Sequence, residues 1–221
     1  MSAAGMRALV FANGDLNDGP AVQAALRFAP ESLIVVADGG ARLALACGLV
    51  PQVVVGDLDS LTPGEVDDLR AQGAEIVRYP AEKDETDLEL ALMIAVRRGT
   101  TWIRVIGAIG GRIDQMLANV SLLTRPDLAG RDTRLVAGPQ TLWLIGPGEH
   151  PLDGAPGDTI SLLPLAGDAH DVRTDGLEYP LRGEILRFGP ARGVSNVMLG
   201  VSARVALSAG LLVVVHTPGK A

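Results

Sequence analysis

Through the first 138 residues, short β-branched runs alternate with helix-like segments, and this alternation restricts the chain to a narrow set of architectures. "RALVFAN", "SLIVVADGG", "QVVVGD", "AEIVRYP" and "WIRVIGA" are short, β-branched-rich runs that read as buried strands. Such runs suit strands covered on both faces, whereas a strand with one wet face would alternate. Strands separated by helices must be joined by crossovers, so the pattern predicts a parallel, doubly wound α/β sheet. The helices carry their own punctuation. "TPGE" places Thr62 and Glu65 as a capping box with Pro63 at the first helical position, predicting a helix to about Gln72 that Gly73 closes. A second helix is predicted from about Thr86 to Arg98, with Leu88, Leu92, Ala95 and Val96 on one face, and a third between "GGRIDQ" and Pro126.

After Gly138 the pattern changes. "TLWLIG", "DTISLLPL", "HDVRT", "EILRF", "ARVAL" and "LLVVVHT" are short strands divided by glycine and proline turns, with no helical period between them. The expected division is therefore an α/β domain over 1–138 and an all-β domain over 139–221. With 221 residues, 48% hydrophobic and 20% charged, each part can bury a core. A net charge of −7 and no basic stripe disfavour nucleic acid and anionic membranes as partners and favour small-molecule chemistry. One cysteine, Cys47, excludes an intramolecular disulfide and reads as core in "ARLALACGL". The opening residues do not read as a secretory signal, nor does any run reach about 18 apolar residues, so a cytoplasmic location is expected.

The strand ends hold the chemistry, because ligands of open α/β sheets bind beyond the carboxyl ends of the strands. "VVVGDLDSL" sets Asp57 and Asp59 two apart, on one side of an extended chain. Two such charges at ~5 Å repel by about 3 kcal/mol at an effective dielectric near 20, so they call for a cation, a shared proton or ample water. Mg²⁺ suits them, and an exposed turn with capping aspartates is the plainer alternative. "NGD", "ADGG", "EKDETD" and "GAIGGRID" at the other strand ends predict that Asp38, Asp57, Asp59, Asp84, Asp87 and Asp114 face one rim. Gly39, Gly40, Gly107, Gly110 and Gly111 would let the backbone approach a nucleotide or phosphate, though ordinary turns also use glycine. Lys83 and Arg112 are cations suited to phosphate oxygens; their plainer roles are a solvated loop lysine and a salt bridge to Asp114. Asp87 could equally cap its helix.

Several chemistries are missing. The sequence has no GxxxxGK[ST], no GxGxxG opening the first helix and no GxSxG, and His150, His170 and His216 lack ligand spacing.

Taken in order, "ADGGA", "GDLDS", "KDETD", "GGRIDQ", "DGLEYPL" and "GVSN" resemble the thiamine pyrophosphokinase family over most of the chain. The resemblance implies an α/β nucleotide domain followed by a β-sandwich, a homodimer, and transfer of a pyrophosphoryl group from ATP to the thiamine hydroxyl with release of AMP. It implies Mg²⁺ on Asp57, Asp59 and Asp87, with these three, Arg112 and Asp114 carrying catalysis. The nucleotide set it implies is Asp38, Gly39, Gly40, Lys83, Asp84, Thr86, Gly110, Gly111 and Arg112. The thiamine set is Asp114, Gln115, Tyr179, Ser195 and Asn196. Tyr179 stands where some members have tryptophan and Lys83 where animal members have glutamine; Leu177 reads better as sandwich core. The rival readings are a pyrophosphokinase for another alcohol such as a hydroxymethylpterin, a metal-dependent glycosyltransferase, and a noncatalytic nucleotide or vitamin sensor.

Overall fold

The five apolar runs of the first part form strands in the computed structural model, which describes residues 5–219. They are β1 (Met6–Phe11), β2 (Ser32–Ala37), β3 (Val53–Gly56), β4 (Glu75–Arg78) and β5 (Thr100–Ile106), joined by a sixth, β6 (Asp132–Ala137), that the apolar pattern did not reveal. The chain divides into two units, one ending at Gly138 and the other starting at Pro139. In the first unit the strand order is β6-β5-β1-β2-β3-β4, and every neighbouring pair is parallel. The order reverses beside β1, so the chain leaves that strand in one direction to β4 and returns to the other side for β5 and β6. Such a switch point leaves a crevice above the carboxyl ends of the strands.

Five α-helices connect these strands: α1 (Pro20–Leu26), α2 (Gly40–Ala46), α3 (Pro63–Ala71), α4 (Asp87–Arg97) and α5 (Ile113–Ser121). Helix α3 starts where its capping box predicts, with Thr62 Oγ1 accepting from the Glu65 amide and the Glu65 carboxylate accepting from the Thr62 amide. Helix α4 buries Leu90, Ala91 and Ile94 as well as Leu88, Leu92 and Ala95, a wider face than its sequence suggests. The reason is that α4 packs across β1, β2, β3 and β5 and is covered on another side by the turn Pro126–Leu128. Under the helices the core is built from Leu9, Phe11, Ile34, Val36, Val54 and Ile106, all buried, with the half-buried Cys47 packed against it.

In the second unit β12 (Asn196–Val197), β9 (Thr159–Pro164), β14 (Leu212–Thr217) and β7 (Gln140–Ile145) run in that order in one antiparallel sheet. A second antiparallel sheet holds β11 (Arg182–Leu186), β10 (Ala169–Asp175), β13 (Ser202–Leu207) and β8 (Gly148–Asp153). Alternate residues of both point into one shared core that includes Leu152, Ile160, Leu162, Val172, Val205 and Val214, the arrangement of a β-sandwich. Leu177 is part of this core. Strand β8 was hidden in the sequence because Pro151 and its polar residues give it an edge-strand composition. Among the described residues no helix is long and apolar enough to cross a membrane.

Candidate active site

A cavity of about 640 Å³ opens over the carboxyl ends of β1, β2, β3 and β5. Its lining runs from Ala12–Asp15 after β1, through Asp38 after β2 and Asp57, Asp59 and Ser60 after β3, to Lys83, Thr86 and Asp87 at the start of α4. On the opposite side it is closed by Gly107, Gly110, Gly111, Arg112, Gln115 and Asn119. Close backbone approach makes this crevice possible. A Cβ on Gly14 would lie 2.3 Å from the Gly107 carbonyl oxygen, so only glycine lets the turns after β1 and β5 meet. Gly56, at φ 147°, faces Asp87 and Asp38, and a side chain there would fill the space their carboxylates use.

Three carboxylates converge. One oxygen from each of Asp38, Asp57 and Asp59 lies within 4.8 Å of the others. The turn between them is held from inside: the Asp59 amide donates to Asp57 Oδ1 at 3.2 Å, the Ser60 amide donates to Asp38 Oδ2 at 3.3 Å, and Asn13 Nδ2 donates to Ser60 Oγ at 3.1 Å. Asp38 takes a left-handed φ of 46°, a conformation aspartate tolerates better than most side chains, and it is only 3% exposed. Its Oδ1 is buried and has no hydrogen-bond partner. A buried ionised oxygen without a partner is costly, and a hard cation supported by all-oxygen ligands removes that cost. The donor set of Asp38, Asp57 and Asp59 therefore fits Mg²⁺.

Asp87 and Lys83 form the neighbouring group. The Lys83 side chain is 9% exposed, with Nζ 3.4 Å from Asp57 Oδ2 and 3.1 Å from Asp87 Oδ1, the latter an ion pair without hydrogen-bond alignment. Lys83 is not the solvated loop lysine; it lines the cavity as a buried counterion of the rim. Burial pulls the Lys83 pKa down, and the two carboxylates outweigh it and leave it raised. The Asp59 amide holds the Asp57 carboxyl below its ordinary range against partial burial, with Lys83 assisting. Burial pushes the Asp87 carboxyl up, the charges of Asp57 and Asp38 add to this, and Lys83 opposes it.

Not every expected residue reaches the cavity. Asp84 is exposed and does not line it. Asp114 is also outside the lining: Arg112 Nε and NH2 grip it at 3.1 and 2.6 Å, and the Gln115 amide donates to it at 2.9 Å. The Arg112 guanidinium keeps the Asp114 carboxyl below its usual range. The plainer salt-bridge reading is the arrangement present, with Arg112 itself on the cavity wall. Gly39 and Gly40 serve packing: a Cβ on Gly39 would strike the Asn13 amide at 2.4 Å, and one on Gly40 the Phe11 carbonyl oxygen at 2.4 Å. Asn13, Asp15, Ser60 and Asn119 also line the cavity. "NGD" and "GDLDS" pointed near the first three; nothing in a helix interior marks Asn119.

In the second unit Asn196 is 8% exposed and its amide is taken up by main chain. Oδ1 accepts from the Tyr179 and Val197 amides at 3.0 and 2.9 Å, and Nδ2 donates to the Tyr179 carbonyl at 2.7 Å. Asn196 is thus a bracket that fixes the Tyr179 backbone while Tyr179 as a whole remains 64% exposed. Ser195 has φ 60°, and its amide donates to Ser161 Oγ at 3.1 Å. His216 Nε2 lies 2.7 Å from Asp158 Oδ2 and His150 Nε2 lies 2.8 Å from the Gly146 carbonyl oxygen, so both have structural partners.

Two family descriptions match the chain in tandem: "Thiamin pyrophosphokinase, catalytic domain" over residues 26–136 and "Thiamin pyrophosphokinase, vitamin B1 binding domain" over residues 149–212. The thiamine pyrophosphokinase of Bacillus subtilis is 28% identical over 187 residues, spanning 84% of this chain and 87% of that protein. Thiamine pyrophosphokinase 1 of Oryza sativa subsp. japonica is 25% identical over 173 residues; the alignment takes in 73% of this chain and 64% of the plant protein. The crystal structure of the Bacillus subtilis enzyme superposes with a TM-score of 0.85 at 26% identity, covering 96% of this chain and 99% of that one. A thiamin pyrophosphokinase family protein from Enterococcus faecalis gives 0.84 at 28% identity, covering 97% and 100%. The fold, the tandem matches and the strand-end motifs agree: the chain belongs to the thiamin pyrophosphokinase family.

Proposed function

We propose that the protein transfers the pyrophosphoryl group of ATP to the hydroxyl of thiamine, giving thiamine pyrophosphate and AMP. The observation that carries this reading is the tandem match of a catalytic and a vitamin-binding domain, the first containing the converging carboxylates Asp38, Asp57 and Asp59. Transfer at phosphorus needs positioning and neutralised phosphate charge more than covalent chemistry from the protein. Mg²⁺ is the cofactor in this proposal, held by Asp38, Asp57 and Asp59, where it would neutralise charge on the phosphate oxygens. Asp87, on the same cavity wall and paired with Lys83, is assigned as a further ligand of that ion or as the group that orients the acceptor hydroxyl. Arg112, on the cavity wall with its guanidinium largely exposed, is assigned to the phosphate tail.

The rest of the reading is proposed on the same basis. Gln115 on the cavity wall and Tyr179 and Ser195 on the β unit are assigned to thiamine, with Asn196 setting the Tyr179 backbone. A homodimer is supported by Leu199 and Val201, which are 63% and 71% exposed on the β unit. The test is direct. Purified protein with ATP, Mg²⁺ and thiamine is expected to form AMP and thiamine pyrophosphate in equal amounts, and to leave a hydroxymethylpterin and a panel of small alcohols unreacted. Nucleotide and thiamine binding without turnover would favour a sensor, and turnover of another alcohol would move the substrate.

A further inference from the structure

The carboxylate rim contains its own cation. Asp38, Asp57 and Asp59 converge, and the Asp38 carboxylate, itself almost fully buried, presents an oxygen with no partner at the cavity. Lys83 serves the other side of the cluster, bridging Asp57 and Asp87 at 3.4 and 3.1 Å with its stem buried. Asp57 is therefore common to both groups: one of its oxygens accepts from the Asp59 amide and the other faces the Lys83 ammonium.

A divalent ion among Asp38, Asp57 and Asp59 would sit beside that ammonium and repel it. Resting on the reading of this rim as a divalent-cation site, we propose that Lys83 is a resident counterion that exchanges for metal, weakening binding of the bare ion and favouring metal delivered on a polyphosphate. The lysine stem is flexible and its ammonium carries three donors, so it can leave Asp57 for another anion within reach. A bare metal ion displaces Lys83 into water. A metal carrying a polyphosphate offers the displaced ammonium a phosphate oxygen instead. Lys83 thus couples arrival of metal to arrival of the triphosphate, and the free rim keeps its carboxylates partly neutralised.

Two measurements test this without turnover. Mn²⁺ binding to the whole protein is followed by electron paramagnetic resonance in the absence of nucleotide, for wild type, Lys83→Gln and Lys83→Arg. Lys83→Gln is expected to bind free Mn²⁺ at least about tenfold more tightly than wild type, the size that loss of one neighbouring positive charge predicts, and Lys83→Arg to stay near wild type. Equal or weaker binding in Lys83→Gln overturns the proposal. The second readout uses unmutated protein, so a misfolded variant does not decide the matter. Lys83 and Lys220 are the two lysines of the sequence, which makes acylation by a soluble activated ester simple to map by mass spectrometry. Mg²⁺ alone is expected to speed acylation of Lys83 relative to Lys220, and Mg²⁺ with ATP carrying a methylene bridge between the α and β phosphates to slow it again. A Lys83 rate unmoved by Mg²⁺ overturns the exchange. If wild type and Lys83→Gln both fail to bind Mn²⁺ even with that nucleotide, the metal reading itself falls and takes the role of Lys83 with it, whereas absent thiamine turnover alone leaves both binding results standing.

Discussion

Asn119 donates through Nδ2 to the Ala108 carbonyl at 2.9 Å, tying the inner face of α5 to the glycine-rich turn after β5. Both groups are largely buried at the cavity wall, and the carbonyl partner fixes which end of the amide is the nitrogen, leaving Oδ1 without a partner. The Asn17 side chain does the same from the other side, donating to the Ile109 carbonyl at 2.7 Å. Two asparagines thus hold a turn that includes left-handed glycines at Gly107, Gly110 and Gly111. Replacing Asn119 by Ala strands the Ala108 oxygen without a donor and is expected to cost about 1–3 kcal/mol of stability. Urea unfolding checks this through the midpoint; a loss under about 0.5 kcal/mol, the scale of a neutral surface change, contradicts it.

Asp59 is exposed and crowded by other carboxylates, so its charge does not stabilise the fold, and in the proposed reading it serves the metal. Asp59→Asn is expected to lower thiamine pyrophosphate formation by at least about 100-fold, the scale on which site electrostatics act. Thermal stability should stay level or rise slightly, because repulsion is relieved. Parallel turnover and melting assays decide it, and unchanged turnover removes Asp59 from the site.

Thr62 and Glu65 close the capping box of α3, and Glu65 is also gripped by Arg42 through Nε and NH2 at 2.6 and 2.8 Å. Thr62→Ala is expected to cost about 1 kcal/mol, the usual value of a lost N-cap, read from denaturant midpoints.

The same pair predicts a pH dependence. The Arg42 guanidinium, with the Thr62 amide, lowers the Glu65 carboxyl from 4.5 to about 2. A depressed carboxyl stabilises the fold above its unfolded value and loses that contribution as pH falls through its folded value. The stability difference between wild type and Glu65→Gln should therefore be full above pH 4.5 and fade towards pH 2. Unfolding curves across that window check the sign, and a gap that widens on acidification refutes it.

Asp158 holds the end of the β unit in place. Its carboxylate accepts from the Ala155 and Gly219 amides at 2.9 and 2.8 Å and meets His216 at 2.7 Å, while the side chain of Thr159 donates to the Gly219 carbonyl at 3.1 Å. Asp158→Ala is expected to destabilise by about 1 kcal/mol, since the Ala155 and Gly219 amides and His216, all partly exposed to water, lose one shared acceptor. Amide exchange is the sharper readout: Gly219 should lose protection, and retained protection rules the bracket out.

The parts of this protein that were legible in the sequence are those set by neighbours along the chain. β-Branched-rich runs mark β1, β2, β3 and β5 because a parallel strand inside the sheet is buried on both faces; β4, at the sheet edge, keeps Glu75 and Arg78 exposed. The capping box starts α3 within one residue of its expected position, and the disappearance of helical period after Gly138 announces the β-sandwich. Strand β6 was not legible because charges interrupt its apolar run: Asp132 is met across the sheet by Arg104 of β5 at 2.7 Å and within its own strand by Arg134 at 2.7 Å. A charge whose partner stands on a neighbouring strand, as Asp132 has in Arg104, looks in one dimension like a loop.

The motifs "ADGG", "GDLDS" and "KDETD" identified the rim, and the tertiary structure chose among their residues. Asp38, Asp57 and Asp59 converge because β2 and β3 are adjacent and in register, from Val35 opposite Val53 to Ala37 opposite Val55, which delivers both strand ends to one point. Asp84 falls on an exposed loop, Asp114 turns to Arg112, and Lys83 folds inward between Asp57 and Asp87. A sequence specifies which side chains can carry charge and on which local element they stand. Which charges share a few ångströms of space is settled by strand order and register, through pairings between residues far apart in the chain.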